Sequence, residues 1–286
     1  MADADTVRIT DPGDPRLWDY RNLRTGTGAT ESAAPRRPES SLGHVVVEGH
    51  LALRRCLEGP LRLRSVLMTP ARASSLADLR GRLDGDTPVY VADRGVLAEL
   101  TGFDVHRGVL ASADRPEPLD PASLREQYRR IVVLEGLSDL ENVGAAFRVA
   151  AALGLDAVLL GPGCADPLYR RCVRVSLGWS TVLPHARSQD LVSDLAGLAA
   201  AGFSTVALTP GAGALAVDRA ANAGVLDDPV ALVVGAEGPG LTEQAMAAAG
   251  HRVAIPMSGD ADSLNAATAL AVVASFAAAA RSWDRP

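Results

Sequence analysis

Lysine is absent from this 286-residue chain, so all 28 of its Lys-plus-Arg cations are arginines. The chain therefore offers no compact ammonium groups, only planar guanidinium forks suited to bidentate contact with phosphate, although base composition of the gene would produce the same bias. No apolar run approaches the length of a membrane span, which argues against a helical membrane protein. The opening stretch MADADTVRITD has neither a basic flank nor an apolar core, so no secretory signal is expected. Cysteine is scarce: Cys56, Cys164 and Cys172 are odd in number and none are spaced C-x-x-C. That excludes a disulfide framework and argues against zinc or any other metal site; buried free thiols in a reducing, cytoplasmic setting are expected. The net charge of −6 counts against a bulk electrostatic nucleic-acid binder, so any RNA contact has to come from local arginine clusters. What is present is apolar content of 48 %, ample for a core, in a length that accommodates two modest domains or one large one.

Residues 1–40 are rich in Asp, Arg, Pro, Gly and Ser without a sustained period. They read as an extension lacking fixed structure in part, with Leu17, Trp18, Tyr20 and Leu23 available for docking. Over 41–113, strand candidates at 45–47, 63–68, 89–91 and 108–111 alternate with helical stretches at 50–57, 76–83 and 96–100, predicting a small α/β domain. Residues 114–128 hold Pro116, Pro118 and Pro121 with little that is apolar, predicting a semi-rigid linker. A second α/β domain is expected over 129–286. Its strands fall at 131–134, 157–160, 205–208, 231–234 and 253–255, with helices after Asn142 (stopped at Gly154), over 190–201 and from Ser263 to about Ala280. Strands separated by helices imply a mostly parallel sheet covered on both faces, with ligands beyond the carboxyl ends of the strands.

Three turns fall at such ends. Asn142-Val143-Gly144-Ala145-Ala146-Phe147-Arg148 follows the first strand of the second domain, and Gly235-Ala236-Glu237-Gly238-Pro239-Gly240-Leu241 follows ALVV. The third, Ile255-Pro256-Met257 through Gly259 and Asp262 to Ser263-Leu264-Asn265, leads from a strand that Pro256 ends into an alanine-rich helix, for which Ser263 is the expected N-cap. Backbone N–H groups at such junctions hold anions or the polar edge of a heterocycle. Singly, each residue has an ordinary reading: Asn142 and Ser263 as helix caps, Arg148 as a surface arginine, Glu237 as a solvated turn. GAEGPG is also not the G-x-G-x-x-G of a dinucleotide site.

In this order and at these separations the three turns resemble motifs one, two and three of the SpoU/TrmH family of SPOUT RNA 2′-O-ribose methyltransferases. The run Arg171 to Gly178 resembles the family's connector, and VVVEGHLALRRCL with TGFDVHRGVLA resembles its L30e/L7Ae-like substrate-binding domain. The resemblance spans roughly residues 42–280. It implies a catalytic domain with a C-terminal trefoil knot, a homodimer with ligand sites near the interface, and S-adenosylmethionine as cofactor. By position, the cofactor would meet Leu208, Thr209, Gly235, Glu237, Gly238, Ile255, Met257, Ser263 and Leu264. Two positions depart from the family pattern: Leu140 stands where proline is frequent, and Ala266-Ala267 where Val-Ser is frequent.

Methyl transfer from a sulfonium to a ribose hydroxyl needs positioning and removal of one poorly acidic proton, not a metal. Arg148 stays protonated, so its expected role is to grip the adjacent phosphate and stabilise the developing alkoxide. Asn142 and Glu237 are expected to brace one another, while Ser263 and Asn265 orient ribose and cofactor. Candidate RNA contacts are Arg54, Arg55, His106 and Arg107 in the first domain and Arg170, Arg171 and Arg174 (with Arg187) in the second. The competing reading is a non-catalytic RNA-binding or ribosome-assembly protein that kept the fold.

Overall fold

The computed structural model describes residues 6–23, 43–211, 213–258 and 263–279. In chain order it begins with β1 (Thr6–Ile9), a 3₁₀ turn over Pro15–Tyr20, β2 (His44–Glu48), α1 (His50–Cys56), β3 (Leu63–Met68) and α2 (Pro70–Ser75). Next come a 3₁₀ turn over Ala77–Arg82, β4 (Val89–Ala92), α3 (Arg94–Thr101) and β5 (Val109–Asp114). Then follow α4 (Pro121–Gln127), β6 (Arg130–Glu135), α5 (Leu140–Ala152), β7 (Ala157–Leu160), α6 (Arg170–Val175), β8 (His185–Arg187) and α7 (Leu191–Ala200). The chain ends with β9 (Ser204–Leu208), β10 (Leu215–Ala216), α8 (Val217–Asn222), β11 (Val230–Gly235), α9 (Glu243–Ala248), β12 (His251–Ala254) and α10 (Ala266–Ala279). Two compact units result, one of residues 1–116 with 166–182, the other of 117–165 with 183–286.

The first unit is a mixed five-stranded sheet in the order β1-β4-β3-β5-β2, with β5 antiparallel to both its neighbours. The expected extension is not one throughout. Thr6–Ile9 adds a parallel edge strand to β4, and Leu17, Tyr20 and Leu23 are buried, while Trp18 stays 62 % exposed. Tyr20 donates its hydroxyl to the Ser65 carbonyl at 2.9 Å, which lets a phenol sit fully inside. The part of the predicted extension over 24–40 lies outside the described residues. Segment 166–182, placed by the sequence within the second domain (129–286) and containing the connector-like run Arg171 to Gly178, belongs to this unit: Leu168 and Val173 enter its core with Val45, Leu53 and Val66.

The second unit is a seven-stranded, wholly parallel sheet in the order β10-β12-β9-β11-β6-β7-β8. Its central strands are near-continuous apolar runs because both faces are covered. Ile131, Val133, Leu159, Ala231 and Val233 face a core shared with Leu124 of α4, Leu195 and Leu198 of α7 and Ala245 of α9. The alternate residues Val132, Leu134, Leu232 and Val234 are buried on the other side, where α5, α8 and α10 pack. The predicted linker is partly helix: Asp120 caps α4 through Ala122 N–H at 2.9 Å, Pro121 takes its first position, and Leu124 is buried. Because every strand runs the same way, the loops after β6, β9, β11 and β12 emerge at one edge.

A candidate active site at the carboxyl edge of the parallel sheet

Loops following three adjacent strands, β11, β9 and β12, enclose a cavity of about 360 Å³ together with the start of α10. Leu208, Thr209, Gly235, Glu237, Gly238, Ile255, Met257, Ser263 and Leu264 all line it, as do Pro210, Val234, Ala236, Gly240, Val253, Ala266 and Ala269. Its volume is that of a small-molecule site, and its walls are chiefly aliphatic, with one carboxylate, Glu237, among the described residues. Gly259 and Asp262 of the third turn lie outside the described residues.

One side-chain amide ties the three turns together. Asn265 Nδ2 donates to Asn142 Oδ1 at 2.8 Å and to Glu237 Oε1 at 2.5 Å. Its Oδ1 accepts from the N–H groups of Ala267 at 3.0 Å and Thr268 at 3.2 Å. Asn265, not Ser263, is therefore the N-cap of α10: the helix begins at Ala266, and the asparagine carbonyl satisfies its first donors. Ser263 instead lies two residues earlier on the cavity wall. Asn142 is not a cap either. Asp139 caps α5 through Glu141 N–H at 2.6 Å, leaving Asn142 in the first turn with its amide free to meet Asn265. Asn142 and Glu237 are thus braced through a shared partner, where the sequence suggested direct contact.

The loop after β11 is held in a tight ring. A Cβ on Gly235 would stand 2.3 Å from the Gly240 carbonyl carbon and 2.4 Å from Leu241 N, so no larger residue fits without moving the loop. Gly240 N–H returns to the Ala236 carbonyl at 3.0 Å, and Gly240 has φ of 72°, a left-handed value suited to glycine. Glu135, at the end of β6 and in register with Gly235, anchors the loop's far end by accepting from Thr242 N–H at 2.9 Å and Thr242 Oγ at 2.8 Å. Sequence reading missed Glu135; the available signal was a carboxylate closing the strand that precedes the first motif.

Arg148 is exposed on α5 and does not line the cavity; among the described residues no hydrogen bond or ion pair engages it. The predicted RNA contacts separate into kinds. Arg170 is buried, ion-paired with Glu48 and hydrogen-bonded to the Leu23 carbonyl, with its guanidinium 4.3 Å from the Phe103 ring centroid, so it does not belong to a surface track. Arg174 shares Glu48 at 3.3 Å, and Arg187 donates to the Cys164 carbonyl at 3.0 Å. Arg54 is held by Asp78 at 2.6 Å; Arg55 pairs with Glu58 and lies 3.9 Å from the Trp179 ring centroid. Arg171 and His106 are exposed, His106 with Asp104 at 3.2 Å, and Arg107 is half-buried. Among the described residues no cluster of three or more His, Cys, Asp or Glu is placed to hold a metal ion, and no helix is long and apolar enough to cross a membrane.

The model of the SpoU rRNA methylase family matches residues 129–275. An uncharacterized tRNA/rRNA methyltransferase of Mycobacterium tuberculosis is 43 % identical over 272 residues, covering 94 % of this chain and 90 % of that one. The chain belongs to the SpoU rRNA methylase family. Among solved structures, an RNA 2′-O ribose methyltransferase superposes with a TM-score of 0.72 at 29 % identity, covering 95 % of this chain and 98 % of that one. An AdoMet-bound rRNA methyltransferase from Sinorhizobium meliloti superposes with a TM-score of 0.73, covering 95 % and 97 %; at 22 % identity it speaks to the SpoU fold alone. The family match encloses α5, the β11 loop and the start of α10, the three elements that Asn265 joins.

Proposed function

We propose that this chain uses S-adenosylmethionine to methylate a ribose 2′-hydroxyl in structured rRNA or tRNA. The observation that carries this reading is the Asn265 amide, which holds turns from three distant parts of the sequence at the rim of one cavity. The lining suits a nucleoside-bearing cofactor: Leu208, Ile255 and Leu264 offer apolar contact to a heterocycle, while the small residues Gly235, Ala236 and Gly238 leave room for close approach of main chain. When bound, the cofactor supplies an electrophilic methyl group; all other demands fall on the protein. Glu237 and Asn265 fix the loops that orient the donor against the ribose. Arg148 grips the phosphate beside the target ribose and stabilises the alkoxide as it forms, the proton leaving to that phosphate or to water.

In this reading the first unit is the L30e/L7Ae-like substrate-binding domain, and the protein acts in the cytoplasm as a homodimer through the catalytic domain. A trefoil knot at the C-terminal end is part of the same proposal. It is supported by β12, which pairs on one side with β9 and on the other with β10, two strands consecutive in the chain. Calorimetry with S-adenosylmethionine, followed by ribose-methylation mapping of total RNA with and without the gene, tests the proposal. Micromolar binding and one missing methylation site are expected. Failure to bind the cofactor would leave the non-catalytic RNA-binding alternative.

A further inference from the structure

In the first unit, one corner gathers cations that the acidic groups around them do not neutralise. Gly49, with φ of 103°, turns the chain from β2 into α1, and the Arg107 side chain lies across its bare main chain. A Cβ there would stand 2.9 Å from Arg107 Cδ and 3.1 Å from its Nη1. Arg72, on α2, donates Nε–H to the Arg107 carbonyl at 2.9 Å, and its Cγ packs where a Cβ on Gly108 would fall, 3.1 Å away. His50 follows Gly49 directly, and Arg54 lies one turn along the same helix face.

Arg54 is satisfied by Asp78 at 2.6 and 3.0 Å. Among the described residues, neither the Arg107 guanidinium nor the terminal nitrogens of Arg72 have a partner. His50 Nδ1 is buried, also without a hydrogen-bond partner among the described residues. A buried polar atom beside one free guanidinium and the free terminal nitrogens of a second is a set of groups suited to an oxyanion. Burial, and then the fields of Arg72, Arg107 and Arg54, hold the His50 imidazole below its ordinary range, so it stands neutral and adds a hydrogen bond, not a third charge.

We propose that Arg72, Arg107 and His50 form an oxyanion site that takes one backbone phosphate of the RNA substrate. The site rests on the RNA reading above and adds Arg72 and His50 to it; in a net-acidic chain it is a place where positive charge remains unspent. Arg72 and Arg107 are replaced together by glutamine in the full-length protein, and binding to protein-free total ribosomal and transfer RNA is measured across salt concentrations. The variant should melt at the wild-type temperature, bind at least about tenfold more weakly, and show a log K against log salt slope shallower by about one. The double lysine variant should recover the slope but only part of the affinity, because the fork is lost. Unchanged affinity and slope in the glutamine variant, with wild type binding RNA normally, would overturn this site and leave the proposed function standing. In a parallel arm, the His50 ring resonance is followed during titration with inorganic phosphate. A response there, with no RNA bound by wild type, would mark a free-anion site and overturn the RNA assignment together with the reading beneath it.

Discussion

The two units differ in where their networks of polar side chains lie. The first buries charge within itself: Glu48, 3 % exposed, binds Arg170 and Arg174, and Ser112 on β5 donates to Asp19 at 2.6 Å. The second also buries one charge, Arg130 at the start of β6, paired with Asp228, in an otherwise mainly aliphatic sheet, but at its carboxyl edge Asn265, Asn142, Glu237 and Glu135 are all exposed or half-buried. A buried pair fixes geometry but leaves no charge for a ligand. An edge network holds loops in place and still faces solvent. The proposed catalysis uses the second arrangement, and in the first unit the proposed RNA contact falls to cations that escaped pairing.

The largest expected effect breaks the buried set. Glu48→Leu leaves Arg170 desolvated without its carboxylate and should cost about 3–5 kcal/mol in urea melts, whereas adding Arg170→Met should restore most of it. A loss below about 1 kcal/mol would mean that the pair is solvated. Arg148→Ala should lower methylation about 10²- to 10³-fold while cofactor affinity stays within about twofold, since its side chain lies off the cavity wall. Retained turnover in that variant refutes the assignment. Gly235→Ala forces the ring after β11 to open and should destabilise by about 1–3 kcal/mol, with loss of cofactor binding by calorimetry. Glu135→Gln, which keeps shape but weakens the grip on Thr242, should cost about 1 kcal/mol and a few-fold in cofactor affinity.

The smallest effect is titration of a buried thiol. Burial pushes Cys56 from its usual value near 9 up to about 11, so the unfolded chain gives up that proton first. Its contribution to stability is complete below pH 9 and is lost as pH rises through 11. Native protein at pH 8 should hardly react with a chromogenic disulfide, while denatured protein should release all three thiols. Fast labelling of the native chain would contradict the burial.

Much of the strand pattern was legible because parallel strands covered on both faces must be apolar runs. The linker was misread because its prolines drew attention from Asp120-Pro121, itself a cap followed by a favoured first helical residue. The cap of α10 was misplaced because Ser263 and Asn265 are equally good caps by type; only the position of the first helical N–H groups distinguishes them. Arg170 and Arg174 looked like a basic track because their partner, Glu48, lies more than a hundred residues away in sequence.

The sequence by itself determined the α/β alternation, the three turns and the family resemblance, and through that resemblance nine of the residues that line one cavity. Tertiary structure alone decided which arginines are spent, that segment 166–182 joins the first unit, and that Asn265 is the bridge among the turns. The physical reason is range. Periodicity and capping are encoded within a few neighbouring residues, whereas a charge or an amide acquires its role from groups that folding brings to within about 3 Å.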